Sequence, residues 1–576
     1  MAPTKLSRVL LPALFFLGAL PTAALAQQTA TNTLVLIADD LGVDQVGIYG
    51  EGSSPAPTPN LDTLARSGVL FRNAWAHPTC SPTRAALHTG RYPHRTGIGF
   101  AITGNTDPVL ALAEHTLPEL VRANGFATAL IGKWHLGTEG IGDNDAPNLA
   151  GWSHFAGAMS GAVPSYYAWQ RVVNGRARLS TNYCTTQEVD DALAWIGTQS
   201  SPWLCVVAFH APHTPYQEPP SHLHSQDLTG RNPVTEPRPF YRAMVEAMDQ
   251  EIGRLLAGLG AARAQTNVIF LGDNGTPAQI VEAPFVRSHA KGSPYEGGVR
   301  VPLIVEGPAV TSPGRESAAL VTAVDVFATV TALCGVDARA NVPTSVALDG
   351  IDFVGTLSDP NSVPARTIAF SEAFDDDSAD ATTRDARHKL IRRQTDNSES
   401  LELYDLAGDP FESVNLMSRA RNATQQRAFE DLYAALASSR DEGLALGFGS
   451  ACSIGTLAAG TPGPTLGSNF PIALSPVDPS TSGVVILLGL SRDQIGSTPL
   501  PFALESLGMP GCYLLTSIED AIGASLSTGA AELGLAIPSE TALIGARFHL
   551  QASELVPGSN PTGITMSNGL ACVIGR

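Results

Sequence analysis

The run Thr33-Leu34-Val35-Leu36-Ile37-Ala38-Asp39-Asp40 is a continuous apolar stretch of strand length that ends in two adjacent acids. A strand apolar at every position suits a parallel sheet covered on both faces, and it delivers its polar groups at the C-terminal edge. Runs of the same kind recur at Ala127–Gly132, Trp203–Phe209, Asn267–Leu271 and Val301–Val305. Between them lie segments of helical character: Leu61–Ala65, Thr116–Asn124, Gln187–Ile196 and Arg242–Leu256. Strands alternating with helices predict an α/β sandwich on a large, mostly parallel sheet, with ligands gathered beyond the strand ends.

Outward from this frame the pattern changes twice. Near Val363 it shifts to short strands at Thr367–Phe370, Lys389–Arg392 and Leu401–Tyr404, followed by a helix from about Ala423 to Ser439. This predicts a smaller α+β subdomain over 363–446 after a main domain over 27–362. Beyond Gly447 the chain is poor in charge and rich in Gly, Pro, Ser and Thr. Strand-like pieces at Gly483–Leu490, Thr541–Gln551 and Leu570–Ile574, with a turn at Gly558–Pro561, predict a separate β-rich module over 447–576.

At the other end, Lys5 and Arg8 precede an apolar stretch from Val9 to Leu20 and the small-residue triplet Ala24-Leu25-Ala26. That is the pattern of a secretory leader, expected over 1–26. The apolar stretch is shorter than the roughly 20 residues of a membrane span, and no later segment supplies one. The expectation is an exported protein, periplasmic or secreted, without stable membrane insertion.

The formal charge of −19 over 576 residues excludes a nucleic-acid partner as the default, since phosphate binding needs clustered Lys and Arg. An anionic substrate then requires a locally basic pocket. Seven cysteines are an odd number for an oxidising compartment, so at least one is free or chemically special. Cys205 and Cys334 sit in apolar runs and read as buried thiols, whereas Cys452, Cys512 and Cys572 are better suited to a bridge.

Two acids at a strand end cannot both enter a core, and charges so close call for a cation or basic partners. A second polar pair, Asp273-Asn274, follows the strand Asn267–Leu271. Carboxylates and an amide, with neither His nor Cys, favour calcium or magnesium over zinc. Taken alone, Asp273-Asn274-Gly275 reads equally as a turn. Cys80 lies in Ala76-His-Pro-Thr-Cys80-Ser-Pro82-Thr-Arg84-Ala-Ala-Leu-His-Thr89-Gly90-Arg91-Tyr92, where a helix is expected to start after Pro82. A nucleophile at a helix N-terminus gains from the dipole, although an ordinary thiol beside a turn fits this short run as well.

The longer pattern, Cys80-x-Pro82-x-Arg84 followed by Thr89-Gly90-Arg91, resembles the signature of the formylglycine-dependent sulfatases, an arylsulfatase-like family of the alkaline phosphatase superfamily. The resemblance covers about residues 31–445. It implies an alkaline-phosphatase-like α/β/α sandwich and a sulfuric ester hydrolase in which Cys80 is oxidised to 3-oxoalanine (formylglycine) by a maturation enzyme before folding. It also implies one calcium ion held by Asp39, Asp40, Asp273 and Asn274, with an oxygen from the modified Cys80. Lys133 and His135 match the family's Lys-x-His element, His213 its substrate-site histidine in Phe209-His-Ala-Pro-His213-Thr-Pro215, and Lys291 its second lysine.

In the implied mechanism the hydrated aldehyde attacks sulfur and displaces the alcohol, and its second hydroxyl then expels sulfate by elimination, which a plain serine cannot do. Calcium, Lys133 and Lys291 meet the charge on the sulfuryl oxygens, His213 protonates the leaving alcohol, and Arg84 and His135 orient the hydrate.

Thr83 and His88 depart from the commoner Ser and Leu at those positions. Two other functions keep the same residues: a phosphate or phosphonate ester hydrolase, and a glycan-binding protein without turnover. The aromatic residues Phe155, Tyr166, Tyr167 and Trp169 read either as a ring-stacking platform or as packing. The expected substrate is a sulfated small molecule or polysaccharide.

Overall fold

The computed structural model describes residues 31–104, 106–137, 142–396 and 398–576; the leader expected at 1–26 lies outside them. Ten strands form one sheet: β1 (Asn32–Ala38), β2 (Val69–Trp75), β3 (Ala127–Lys133), β4 (His154–Ala158), β5 (Trp169–Val173), β6 (Arg176–Ser180), β7 (Trp203–Ala208), β8 (Thr266–Gly272), β9 (Leu303–Glu306) and β10 (Arg315–Thr322). Their spatial order is β10-β2-β9-β8-β1-β7-β3-β4-β5-β6. The central run β8-β1-β7-β3-β4 is parallel throughout. The flanks are mixed: β9 runs antiparallel to both β2 and β8, and β4, β5 and β6 pair antiparallel at one edge.

The apolar runs of the central strands follow from burial on both faces. Val35 and Ile37 of β1 pack into one core with Leu204 and Val206 of β7, under the helices Cys80–Thr89, Leu117–Ala123 and Ala323–Leu333. Leu34, Leu36 and Ala38 point the other way and join Cys205 and Val207 beneath the helices Pro59–Arg66, Cys184–Ile196 and Pro237–Gly258. Each of the Leu, Ile and Val side chains among them contributes about 1.5–3 kcal/mol of transfer free energy. All five parallel strands end at the same edge, so Asp39, Asp40, Lys133, His210 and Asp273 converge there.

A second sheet, β11 (Ala369–Phe374), β12 (Ser378–Arg384), β13 (His388–Thr395) and β14 (Ser398–Asp405), is antiparallel in chain order. The helix Ala423–Ser439 covers it, started by Asn422, whose side chain accepts from the Gln425 N–H while Gln425 bonds back to Asn422. Phe370, Leu390, Leu403 and Leu432 extend the first core into this layer. Lys389 adds a buried ion cluster with Glu296 at 3.1 Å and Glu412 at 2.8 Å.

From Leu444 the chain enters two facing antiparallel sheets, with Leu457, Phe470 and Leu474 from one packing on Ile486, Phe548 and Leu570 from the other. The expected strand at Thr541–Gln551 begins instead at Arg547, because Thr541–Leu543 is a 3-10 turn and Gly545 has a left-handed φ of 77°. Cys452 and Cys512 form the disulfide. Cys572 stands free and buried in the strand Ile564–Val573, against the expectation that it suits a bridge; Cys205 and Cys334 are buried thiols.

Candidate functional site

The helix Cys80–Thr89 begins at Cys80 itself, three residues earlier than the sequence suggests. Pro82 falls within the first turn, where the missing N–H has no intrahelical partner to lose. Thr83 explains its own departure: its hydroxyl accepts from the His77 N–H at 2.9 Å and bonds the Thr79 carbonyl at 3.3 Å, tying the preceding loop to the helix.

His88 is satisfied at both nitrogens. Nδ1 lies 2.8 Å from the Arg84 carbonyl, which can only accept, so Nδ1 carries the proton; Nε2 then accepts from the Trp152 indole at 3.2 Å. Burial pushes this histidine from 6.5 down to about 4. A depressed folded value contributes stability that is present above pH 6.5 and lost as pH falls toward about 4. His88→Leu is expected to flatten the pH dependence of unfolding in that window by about 1.4 kcal/mol per pH unit, as read from denaturant titrations at a series of pH values.

Asp39, Asp40, Asp273 and Asn274 all lie beyond the ends of β1 and β8, and all are buried. Asp40 adopts φ 69°, which turns its carboxylate back into the cluster. Its N–H donates to Asp273 Oδ1 at 3.1 Å, and its Oδ1 accepts from Asn274 at 2.8 Å and from Lys291. Lys133, at the end of β3, bonds Asp39 Oδ2 at 2.5 Å, and Arg84 bonds Asp273 Oδ2 at 2.7 Å.

Burial alone would raise the Asp39 carboxyl, but Lys133, His213, Arg84 and Lys291 outweigh it and hold the group far below the usual carboxylate range. Asp273 goes the other way: burial and the neighbouring Asp39 raise it to about 6 despite Arg84. Burial likewise works against the Lys291 ammonium, yet Asp40, Cys80 and Asp39 keep it above its ordinary value.

Two buried oxygens in this cluster, Asp39 Oδ1 and Asn274 Oδ1, have no hydrogen-bond partner. Buried acceptors are rarely left unmatched, and an all-oxygen set of this kind fits a hard divalent cation. Asp39, Cys80 and Asp273 lie within mutual ligand distance, as do Asp39, Asp40 and His213.

Cys80 Sγ is 3.2 Å from His135 Nδ1. The other ring nitrogen, Nε2, lies 2.8 Å from the Ile102 carbonyl, so it carries the proton and Nδ1 faces residue 80 as an acceptor. Burial and Lys133 hold His135 well below its ordinary value, which keeps it neutral. Burial pushes the Cys80 thiol up against the pull of Lys133 and Lys291.

Cys80, His135, His213 and Lys291 open onto a cavity of about 490 Å³ walled by Ile102, Val109 and Met159. Gly161 is required there, since a Cβ would come within 2.3 Å of the His135 ring.

The residues read from the sequence as metal ligands or catalytic groups thus meet at one sheet edge. The Arg84 guanidinium is engaged by Asp273 at 2.7 Å and by the Lys133 carbonyl at 3.2 Å, and so braces the acid cluster. The aromatic platform is not formed. Phe155, Tyr166 and Trp169 are buried in the core, and Tyr167 alone is exposed. A buried trio, Cys184, Glu188 and His210, escaped notice. Its signal was the Cys-x-x-x-Glu spacing on one helical face and the first histidine of the Phe209–Pro215 run.

A buried thiol faces an acidic oxygen set and two lysines at the C-terminal edge of a doubly covered sheet, where ligands of such folds gather. The profile of the sulfatase family matches residues 31–336, and that of the N-sulphoglucosamine sulphohydrolase C-terminal region matches 288–439. The chain belongs to the sulfatase family, hydrolases of sulfate esters.

It is 31% identical over 393 residues to the N-acetylgalactosamine-6-sulfatase of Rattus norvegicus, covering 61% of this chain and 70% of that one. It is 29% identical over 465 residues to arylsulfatase A of Homo sapiens, covering 70% and 87%. Among solved structures, Ps i-CgsB superposes with a TM-score of 0.61 at 26% identity, over 70% of this chain and 92% of that one. Ps i-CgsB is also known in complex with k-i-k-neocarrahexaose.

Proposed function

We propose that this chain is an exported, calcium-dependent sulfatase that hydrolyses a carbohydrate sulfate ester through a formylglycine made from Cys80. The observation that carries this reading is the meeting of Cys80 with His135 Nδ1 at 3.2 Å beside a buried oxygen set with two unpartnered acceptors.

Calcium held by Asp39, Asp40, Asp273 and Asn274 would polarise a sulfuryl oxygen and favour ionisation of a hydroxyl on residue 80. Conversion of the Cys80 thiol to a hydrated aldehyde would supply that hydroxyl and a second one for release of sulfate. His135 Nδ1, already an acceptor aimed at residue 80, takes up the proton that the side chain gives away. Lys133 and Lys291 offset charge on the sulfuryl oxygens. His213 donates from Nδ1 to the Thr214 carbonyl at 2.8 Å, which leaves Nε2 facing the site, 3.7 Å from Asp40; in the imidazolium form Nε2 carries the proton that passes to the departing alcohol.

Cys80 is 2% exposed, which supports modification by a maturation enzyme before the chain folds. The carbohydrate assignment is supported by the sugar sulfate named for the rat relative and by the oligosaccharide bound to Ps i-CgsB.

The test is a panel of sulfated sugars and aryl sulfates, each set beside the phosphate ester of the same alcohol. Faster hydrolysis of a sugar sulfate is expected. Preference for the phosphate, or binding without turnover, would overturn the assignment.

A further inference from the structure

The turn that carries His213 is anchored by groups with no part in the chemistry above. Cys184 and Glu188 stand one turn apart on the helix Cys184–Ile196 and meet His210 just past β7, all three buried. Glu188 Oε1 accepts from the His210 ring Nδ1 at 2.6 Å and from the His210 backbone N–H at 3.2 Å, while the Cys184 thiol approaches it at 3.6 Å. The direct 2.6 Å bond between Glu188 and His210 clamps the turn to the helix.

From this anchor the chain runs His210-Ala211-Pro212-His213. The His213 N–H closes the turn on the His210 carbonyl at 2.9 Å. The Tyr166 hydroxyl, fully buried, lies 2.7 Å from the His210 carbonyl and 2.8 Å from that of His213, its one proton shared between them. The Ala211 carbonyl accepts from the Asp39 N–H at 3.1 Å. One four-residue turn therefore fixes both the histidine that faces the ester and the backbone of an acid in the oxygen set.

We infer that Glu188, His210 and Tyr166 form a positioning network that holds His213 Nε2 within reach of the leaving alcohol. The inference rests on the acid role proposed for His213. A general acid acts only at hydrogen-bond distance, so displacing His213 by about 1 Å costs most for alcohols that leave poorly and least for those that need no proton.

Tyr166→Phe keeps the ring that fills the core and removes only the shared hydroxyl. Glu188→Ala removes the acceptor that pins His210, and Glu188→Gln restores an oxygen there. Values of kcat/KM are compared on phenyl sulfate and 4-nitrophenyl sulfate in the full chain, with the matured fraction of Cys80 measured in every preparation. Tyr166→Phe and Glu188→Ala are expected to lose about tenfold more on the phenyl ester, with most of that difference recovered in Glu188→Gln. His213→Ala sets the upper limit of the same signature.

Equal losses on both esters, or no loss in Tyr166→Phe, would overturn the network. Should Glu188→Ala fail to fold, Tyr166→Phe decides alone. A fully matured wild type that cleaves no sulfate ester would instead overturn the sulfatase assignment, and the network with it.

Discussion

Cys80→Ala is expected to lower kcat/KM for a sulfate ester by on the order of 10⁴-fold or more, with the fold retained. The size follows from what the position does. His135 Nδ1 lies 3.2 Å from the side-chain atom of residue 80 and the charges of Lys133 and Lys291 act on it, so removing that atom leaves the basic pocket nothing to activate. The fold survives because alanine is a good residue for the first turn of a helix, and among the described residues Cys80 Sγ bonds only His135.

Cys80→Ser separates the two halves of the chemistry. A serine hydroxyl that attacks sulfur and displaces the alcohol is left as a sulfate ester with no second hydroxyl to expel sulfate, so at most one turnover is expected, followed by a trapped adduct. Mass spectrometry of the tryptic peptide Asn73–Arg84 reads both results. The wild type should show sulfur exchanged for oxygen at residue 80, and the serine variant an added sulfuryl group after exposure to substrate. An unmodified thiol in fully active protein, or undiminished turnover in the alanine variant, would sink the mechanism.

The parallel centre of the sheet was legible because burial on both faces writes itself as unbroken apolar runs, as in β1 and β7. The parallel strand β4 and the flanking strands β2, β5, β6 and β10 were not, whereas β9 was read at Val301–Val305. β2 carries Arg72 and Asn73 at half-buried positions, and β6 is mostly exposed along Arg176–Ser180, so neither has the apolar run that marks a central strand. The site residues could be found because each chemical group sits at a strand end or in a motif of several residues. Tyr166 and Glu188 could not, since a buried Tyr on a loop and a Glu inside a helix look like packing and solvated surface until the turn at His210 is brought against them. Arg84 has a partner that spacing along the chain does not reveal. Sequence spacing put it one helical turn from Cys80, but only the fold brings Asp273, 189 positions away, to its guanidinium.

Removal of calcium by a chelator is expected to lower the rate by about 10³-fold, several kcal/mol of transition-state stabilisation, while leaving the chain folded. The two halves of that expectation come from the same charges. Asp39, Asp40 and Asp273 are matched one to one by Lys133, Lys291 and Arg84 in buried or nearly buried pairs. Stripping a cation from this cluster therefore leaves no unmatched carboxylate, and the loss of stability is limited to the binding term, about 2.7 kcal/mol at a hundredfold excess over Kd.

The rate is not protected in the same way. Without a competing cation the lysine ammoniums stay committed to Asp39 and Asp40, and the positive charge needed for the sulfuryl oxygens is spent on the protein's own carboxylates. Calcium should restore activity fully; magnesium, which demands a tighter octahedral set, should restore it less. Asp39→Asn should raise the calcium concentration needed for half-maximal rate, and because it also frees Lys133, saturating calcium should return part of the rate. Asp273→Asn should not be rescued in this way, since it leaves the buried Arg84 without its carboxylate and costs about 3–5 kcal/mol of stability. Full activity after chelation, or recovery with zinc alone, would show that the oxygen cluster serves only to pair the lysines.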